Sequence, residues 1–428
     1  MEISLMQMLE ARERRVQQQD RLLAQYEKPL ICFTMNIAGP EKCSKLIRFG
    51  FRLGCRRLEE ALSGIPVLHI FREEAVTGCE GYYVCDADPK TLKAITCRLE
   101  EADPLGRLFD MDVLTREGKQ TRPSPRKCLL CGNHAMVCGR SRTHSVAQLQ
   151  EKTRQILTEA AAEAISQLAV QSLLCELYTT PKPGLVDLRN SGSHTDMDLY
   201  TFLRSTASLW GYFRRCVSIG IATADCAPEV TFPQLQQAGL EAEKAMYRAT
   251  GGINTHKGAI FTLGLLCGAA GRLLHFDPEA LGAECAAMTR GLSLAGHATS
   301  GGKLYAAHGI TGARGQAMSG FPAAVKIGLP ALEAGAHLGL NWAGCGALLA
   351  ILAQIEDTNL IHRSDPATHS ALQAELRSLL AEDPYPSRDV LEQLDDRFIQ
   401  KNLSPGGSAD LLAASYFLYF LRALTNRD

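Results

Sequence analysis

The 428 residues carry 45 Lys and Arg against 46 Asp and Glu, a net charge of −1 with His neutral. That balance excludes a general nucleic-acid binder, which needs a basic excess, and an acidic disordered tail protein. With 46% hydrophobic residues, and about one domain per ~150 residues as a guide, the chain reads as a folded, enzyme-like protein of two or three domains.

The first 20 residues read as an amphipathic helix and not as a signal peptide, because charge begins at Glu2 and gathers at Arg12, Arg14 and Arg15. Four strand-like patches follow: 30–37 (LICFTMNI), 65–71 (IPVLHIF), 81–85 (GYYVC) and 108–114 (LFDMDVL). Residues 43–62 and 89–101 have helical spacing. The order β-α-β-β-α-β predicts an α/β (α+β) sandwich with a small mixed sheet, or an antiparallel one, over residues 1–150. The polar stretch 145–159 reads as a helical linker or as the first helix of the next domain. From 161 onward nearly everything reads as helix, which predicts an all-α helical bundle over 151–428 with roughly ten helices. Segment 258–271 is too short to cross a membrane. Segment 334–355 is interrupted by His337, Asn341 and Gln354, so both read as buried core helices and no membrane partner is expected. An odd count of 15 Cys without a signal sequence predicts reduced thiols and a cytoplasmic protein.

Several segments carry chemistry. Asp110 and Asp112, at i and i+2 of a strand, point to one side, as a Mg²⁺-binding pair does. A solvated edge strand would show the same pattern. Cys128, Cys131 and Cys138, with His144 beyond, have the spacing of a Cys₃His zinc site. Buried free thiols and a redox pair are the other readings. Arg107 adds a cation just before the Asp pair, and Arg122, Arg126, Lys127, Arg140, Arg142 and His144 make a local basic cluster suited to polyphosphate or to an acidic protein, or simply a solvated loop.

In the second part, Lys182 sits in a Pro- and Gly-stiffened loop that ends at Asp187. Asp196 and Asp198 fit either a Mg²⁺ cradle or the first turn of a helix capped by Thr195. The segment TGGINTHKG, with Asn254, His256 and Lys257, offers backbone N–H groups and a cation at a helix start. It departs from a P-loop at His256 and Gly258. Six Gly with Lys303, His308 and Arg314 over 299–322 read as a lid over a phosphorylated ligand, or as a surface loop. Asp357 and Arg363 share a short segment. Ser408 and Asp410 open the last apolar helix, with Ser408 as its cap. Several Asp and several cationic loops at helix ends together point to Mg²⁺ and polyphosphate chemistry.

The motifs PKPGLVD, SGSHTDMD, TGGINTHKG, GARGQAMSGFP, DTNLIHR and SPGGSADLLAASYF, in this order over roughly 160–428, resemble the triphosphoribosyl-dephospho-CoA synthase family. TMNIAGPEK, PLGRLFDMDVL and PRKCLLCGNHAMVCGRSRTH, over roughly 1–145, resemble the apo-citrate lyase phosphoribosyl-dephospho-CoA transferase family. The resemblance implies a bifunctional transferase. ATP and 3′-dephospho-CoA would give 2′-(5″-triphosphoribosyl)-3′-dephospho-CoA and adenine. The phosphoribosyl-dephospho-CoA unit would then pass to a serine of the citrate lyase acyl carrier (gamma) subunit, with loss of pyrophosphate. On this reading Asp187, Asp196, Asp198, Asp357 and Asp410 share the roles of Mg²⁺ ligand and base. Lys182, Asn254, His256, Lys257, Lys303, Arg314 and Arg363 hold phosphates. Asp110 and Asp112 bind Mg²⁺, and Arg107, Arg126, Arg140 and Arg142 face polyphosphate or carrier. Three rivals stay open: the carrier of malonate decarboxylase, a metal-dependent phosphohydrolase, and a zinc-stabilised module at 120–145 that docks a carrier or RNA.

Overall fold

The computed structural model describes residues 3–294 and 300–425. Its contacts divide the chain into two units, Met1–Ala161 and Ala162–Asp428. In the first unit, α1 (Leu5–Tyr26) precedes β1 (Leu30–Met35), α2 (Lys45–Ala61), β2 (Val67–Ala75) and β3 (Gly78–Cys85). Then come α3 (Pro89–Glu101), β4 (Phe109–Thr115), β5 (Gly118–Lys119) and α4 (Ala135–Arg140). Local signals start the helices: a Ser4–Gln7 capping box for α1, Ser44 for α2, and Asp88 followed by Pro89 for α3.

The strands form one sheet in the order β2-β3-β1-β4-β5, and every pairing is antiparallel. Of the mixed and antiparallel sheets that the element order allows, the antiparallel one forms, and the mixed one is corrected. Each helical crossover, β1-α2-β2 and β3-α3-β4, skips one position and leaves an antiparallel strand between its ends, so parallel strands never become neighbours. Alternation along β1 fixes its two faces. Leu30 and Cys32 pack with Leu22 of α1, Tyr82 and Val84. Phe33, on the other face, stacks on Phe51 of α2 at 4.9 Å and meets Phe109 edge-on at 5.2 Å.

Helix α5 (Val146–Tyr178) starts at a capping box in which the Gln148 N–H donates to Ser145 Oγ at 3.2 Å and the Ser145 N–H to Gln148 Oε1 at 2.9 Å. The polar 145–159 stretch and the apolar residues after it are thus one helix, and the division between the units falls inside it. The second unit continues with α6 (Leu199–Ala222), α7 (Thr231–Thr250), α8 (Lys257–Leu273), α9 (Pro278–Met288), α10 (Ser300–His308) and α11 (Gly312–Met318). After a π-helical turn follow α12 (Leu329–Gly335), α13 (Leu340–Leu352), α14 (Thr358–Arg363), α15 (Pro366–Glu382), α16 (Arg388–Gln400) and α17 (Gly406–Thr425). From α5 on, the described residues hold thirteen α-helices instead of roughly ten, because several are only one or two turns long.

The apolar α8 is buried along its length and contacts α6, α7, α9 and α17. It closes on α6 through glycine: a Cβ at Gly271 would lie 2.3 Å from the Val217 carbonyl oxygen, so any side chain would force the helices apart. Among the described residues no single helix is long and apolar enough to cross a membrane. Only the bent pair α8 and α9, at 108°, passes by length and composition.

Candidate active sites

In the second unit a cleft of about 1070 Å³ is bounded by the end of α5, the loop before α6 and the amino-terminal turns of α8, α11, α14 and α17. Helix amino-termini carry partial positive charge, so the long helices α8 and α17 favour anionic groups in the cleft, although the N–H groups of Lys257, Ala259 and Ser408 there already donate to Asn254, Asp410 and Asp357. His194, Asp196, Asn254, His256, Lys257, Asp357, Arg363 and Asp410 all line it, although they come from four separate sequence motifs.

Each acidic side chain has a distinct environment. Asp410 is half-buried in the wall of the cleft. Burial, and then the nearby Glu176 and Asp357 carboxylates, push its pKa well above the usual range, against one hydrogen bond from the Ala259 N–H. Asp357 is committed to structure. Its Oδ1 accepts from the N–H groups of Asn359 (3.0 Å) and Leu360 (3.1 Å), which caps α14. Its Oδ2 accepts from the Ser408 N–H (2.6 Å) and Oγ–H (2.8 Å) at the start of α17. Helix α17 therefore begins at Gly406, before Ser408, and Ser408 is a donor to Asp357 and not the expected cap. Asp187 is buried outside the cleft lining. It accepts from the N–H groups of Lys182 (2.8 Å), Arg189 (2.7 Å) and Asn190 (3.2 Å), and so shapes the PKPG loop. Asp198 is the N-cap of α6, in a capping box with Thr201 (2.8 Å to its N–H), so this helix starts three residues later than a Thr195 cap implies. Asp196 is exposed at the cleft, 3.9 Å from His194 Nδ1.

The cations divide in the same way. The Lys182 ammonium is buried, bonded to the Glu176 carbonyl at 2.6 Å and paired with the Glu176 carboxylate, and it does not line the cleft. Burial pushes the Glu176 pKa up while Lys182 opposes the shift. Lys257 pairs with Glu243 at 2.9 Å, and the Lys257 N–H donates to Asn254 Oδ1 at 3.3 Å. Arg363 donates to the Ser193 carbonyl (2.8 Å), Asn402 Oδ1 (3.1 Å) and His194 Nδ1 (3.2 Å). Arginine only donates, so His194 Nδ1 is an acceptor and its Nε2–H faces Ser404 Oγ at 2.9 Å. Burial, and then Arg363, lower the His194 pKa. Arg314 turns to the Ser293 carbonyl at 3.1 Å and is not part of the lining. The 299–322 stretch expected as a lid carries α10 and α11, with Gly309 and Gly312 at the turn between them. The Lys303 side chain lies outside the described residues.

His256 is the most constrained group. Thr255 Oγ1–H donates to Ser205 Oγ at 2.7 Å, so the Ser205 hydroxyl proton is directed at His256 Nδ1, also at 2.7 Å. The ring proton therefore resides on Nε2, which is buried and has no partner. Burial, and then Lys182, push the His256 pKa down to about 3.

In the first unit Asp110 and Asp112 project from one face of β4, opposite Thr34 and Cys32 of β1. Asp112 pairs with Lys119 at 2.5 Å and Asp110 with Arg126 at 3.3 Å. Arg126 also pairs with Glu100 at 2.6 Å, and Glu100 accepts from the Met111 N–H at 2.7 Å. Arg107 donates to the Lys127 carbonyl. Glu100, Arg107, Arg122, Arg126, Lys127 and His134 border a second cavity, of about 610 Å³. Arg140 and Arg142 are exposed and have no ion-pair partner among the described residues. The ligand atoms of Cys128, Cys131, Cys138 and His144 lie within 4.8 Å of one another.

Glu176 and Glu100 escaped the sequence reading. Each is one Glu within a helix, and only the Lys or Arg brought to it by the fold marks it. The i+6 spacing of Glu176 and Lys182 spans the end of α5 and has no helical periodicity to reveal it.

Two sites of this kind, a cleft ringed by helix starts and an Asp pair among arginines, have the residue types that phosphate-bearing substrates require. The comparisons make the chain a transferase. Residues 162–428 match the family described as ATP:dephospho-CoA triphosphoribosyl transferase, and residues 3–160 match apo-citrate lyase phosphoribosyl-dephospho-CoA transferase. A protein named CitXG from Haemophilus influenzae is 35% identical, over 98% of this chain and 97% of its own. Another CitXG, from Leuconostoc mesenteroides subsp. cremoris, is 31% identical over 97% of each chain. The 2-(5″-triphosphoribosyl)-3′-dephosphocoenzyme-A synthase of Haemophilus ducreyi is 36% identical, over 68% of this chain and 99% of its own. The chain belongs to the family in which these two transferases are fused, and it is an enzyme of triphosphoribosyl transfer.

Proposed function

We propose that the second unit joins ATP to 3′-dephospho-CoA. The 2′-hydroxyl oxygen of dephospho-CoA bonds to the anomeric carbon of the ATP ribose, the bond from that carbon to adenine breaks, and the hydroxyl proton is balanced by a proton delivered to adenine. Asp410 is the group we assign to adenine protonation, since it lines the cleft and its desolvation beside two carboxylates raises its pKa well above the usual range. The unpartnered Nε2–H of His256 is a ready hydrogen-bond donor to substrate. Lys257, Arg363, Asn254 and the helix starts of α8 and α17 would hold the triphosphate and the pyrophosphate of dephospho-CoA.

The first unit then transfers the phosphoribosyl-dephospho-CoA group to a serine of the citrate lyase acyl carrier. The serine oxygen bonds to the α-phosphorus, the bond from that phosphorus to the β-bridging oxygen breaks, and pyrophosphate leaves. Arg107 and Arg126 suit the phosphates, while the exposed Arg140 and Arg142 suit an acidic carrier surface. Among the described residues no three carboxylates gather as a metal cage. One or two carboxylates plus substrate phosphates are a usual Mg²⁺ environment, which Asp110 and Asp112 would supply in one site and Asp196 alone in the other. Mg²⁺ there would neutralise charge on the reacting phosphates. Free thiols throughout fit a reducing, cytoplasmic setting.

The observation that carries this reading is the cleft in which a carboxyl group of raised pKa and an unpartnered imidazole N–H lie beside two long-helix amino-termini. Its test is chromatography of protein, ATP, dephospho-CoA and Mg²⁺. Free adenine that requires dephospho-CoA, with an adduct of matching mass, is expected. ADP or AMP with phosphate and no adenine would mean a phosphohydrolase. A transfer assay with the acyl carriers of citrate lyase and malonate decarboxylase decides the partner.

A further inference from the structure

Residues 120–145 connect β5 to α5 and form little regular structure beyond the short α4. Only two residues of the segment are buried, Cys128 at 8% and Cys138 at 7%. Leu130, Met136 and Val137 are exposed, so no apolar core accounts for its order. What the segment does have is a set of turns that converge on sulfur. The Cys128 N–H donates to the Asn133 carbonyl at 2.5 Å, and the Gly132 N–H to the Cys128 carbonyl at 3.3 Å. Gly132, at φ +75°, completes a turn that returns Cys131 beside Cys128. Helix α4 carries Cys138 back to Cys131, with the sulfurs 3.5 Å apart. The Thr143 N–H donates to the Cys138 carbonyl at 3.1 Å, and left-handed backbone at Arg142 (φ +49°) swings His144 inward. His144 Nε2 is buried and has no hydrogen-bond partner.

We propose that Cys128, Cys131, Cys138 and His144 bind one structural Zn²⁺. Two thiolates on a tetrahedral zinc, at about 2.3 Å from the metal, lie roughly 3.8 Å apart, and the four ligand atoms here fall within 4.8 Å of one another. A set of three sulfurs and one imidazole selects zinc over magnesium or calcium. Each thiol gives up its proton on binding, and the closed four-ligand set leaves no position for substrate, so the ion is structural. Its consequence lies next door. The ligated turn fixes Arg126 and Lys127, which precede Cys128 directly. Arg126 reaches Asp110, and the Lys127 carbonyl holds Arg107. Zinc would thus set the basic wall of the 610 Å³ cavity beside the Asp110–Asp112 pair.

The test uses the full chain, purified with a thiol reductant and without chelator. Mass spectrometry of the metals should find about one zinc per chain, falling below roughly a fifth of an equivalent in Cys138→Ser and in His144→Ala. Replacement by Co²⁺ in the unaltered chain should give thiolate charge-transfer absorption with intense tetrahedral d–d bands, a signature that depends on no variant folding correctly. Three results would each overturn the site. One is less than about a tenth of an equivalent of zinc before and after reconstitution of the reduced chain. Another is stoichiometric zinc retained by both variants. The third is a metal-free Cys131–Cys138 disulfide in the chain as isolated.

Discussion

His256 turns a short motif into a defined proton inventory. Its residue type in TGGINTHKG suggested a phosphate cation. Buried against Phe202, with Ser205 donating to Nδ1, it is a neutral imidazole with a free Nε2–H. A pKa of about 3 in the folded state against 6.5 in the unfolded chain means that protonation favours unfolding. The resulting stability is fully present above pH 6.5 and is lost as the pH falls from there toward 3. Between pH 7.5 and 4.5 the native chain should lose about 2–3 kcal/mol more than His256→Asn, at about 1.4 kcal/mol per pH unit per proton. Trp210 and Trp342 are the only two tryptophans and both lie in the second unit, so urea unfolding followed by tryptophan fluorescence reads this difference within the full chain. Parallel pH curves for the two proteins would show that His256 is protonated, or solvated, in the native state.

At the scale of elements, one carboxylate joins two helices. Asp357 caps α14 with one oxygen and holds the start of α17 with the other. Asp357→Ala removes four acceptor contacts and leaves the buried Ser408 N–H unpaired, a loss of about 2–4 kcal/mol. Asp357→Asn separates the two jobs: the amide oxygen can keep the α14 cap, while its NH₂ would face the Ser408 donors. Adenine release should therefore fall at least tenfold in the Asn variant, even where its thermal midpoint recovers most of the Ala loss. Full activity in Asp357→Asn would show that the position of α17 does not matter. The elements themselves were largely legible. Alternation in β1 and β4, turn residues between strands and apolar helical stretches are local signals, and they gave the β-α-β-β-α-β order and the helical second part. Strand partners and direction are long-range, so the antiparallel sheet was not readable. Motifs located the cleft residues, but types alone could not separate an Asp that faces the cleft, such as Asp410, from caps such as Asp198 and loop anchors such as Asp187. That distinction depends on which backbone N–H groups each carboxylate meets once the loops close.

At the scale of the whole molecule, each site draws its groups from one unit. Every residue bordering the larger cleft lies between 173 and 413, and the Asp110 site with its arginines lies between 100 and 142. The intermediate of the proposed reaction would carry a triphosphate and a CoA-type pyrophosphate, both strongly hydrated, so it would be soluble and could move between molecules by diffusion. Two variants make this testable. Asp410→Asn keeps the shape of the protonated acid but cannot release a proton, and it should lower adenine release by about 10²–10³-fold while leaving transfer of supplied intermediate intact. Asp112→Ala should do the reverse, abolishing transfer and sparing adenine release. Neither alone should modify the acyl carrier from ATP and dephospho-CoA, whereas an equimolar mixture should. Because the second enzyme meets intermediate from bulk solution, the lag before carrier modification should lengthen about in proportion to dilution of the mixture. A mixture that makes adenine and adduct yet never modifies the carrier would mean that the intermediate must pass within one chain, or that Asp410 serves both reactions.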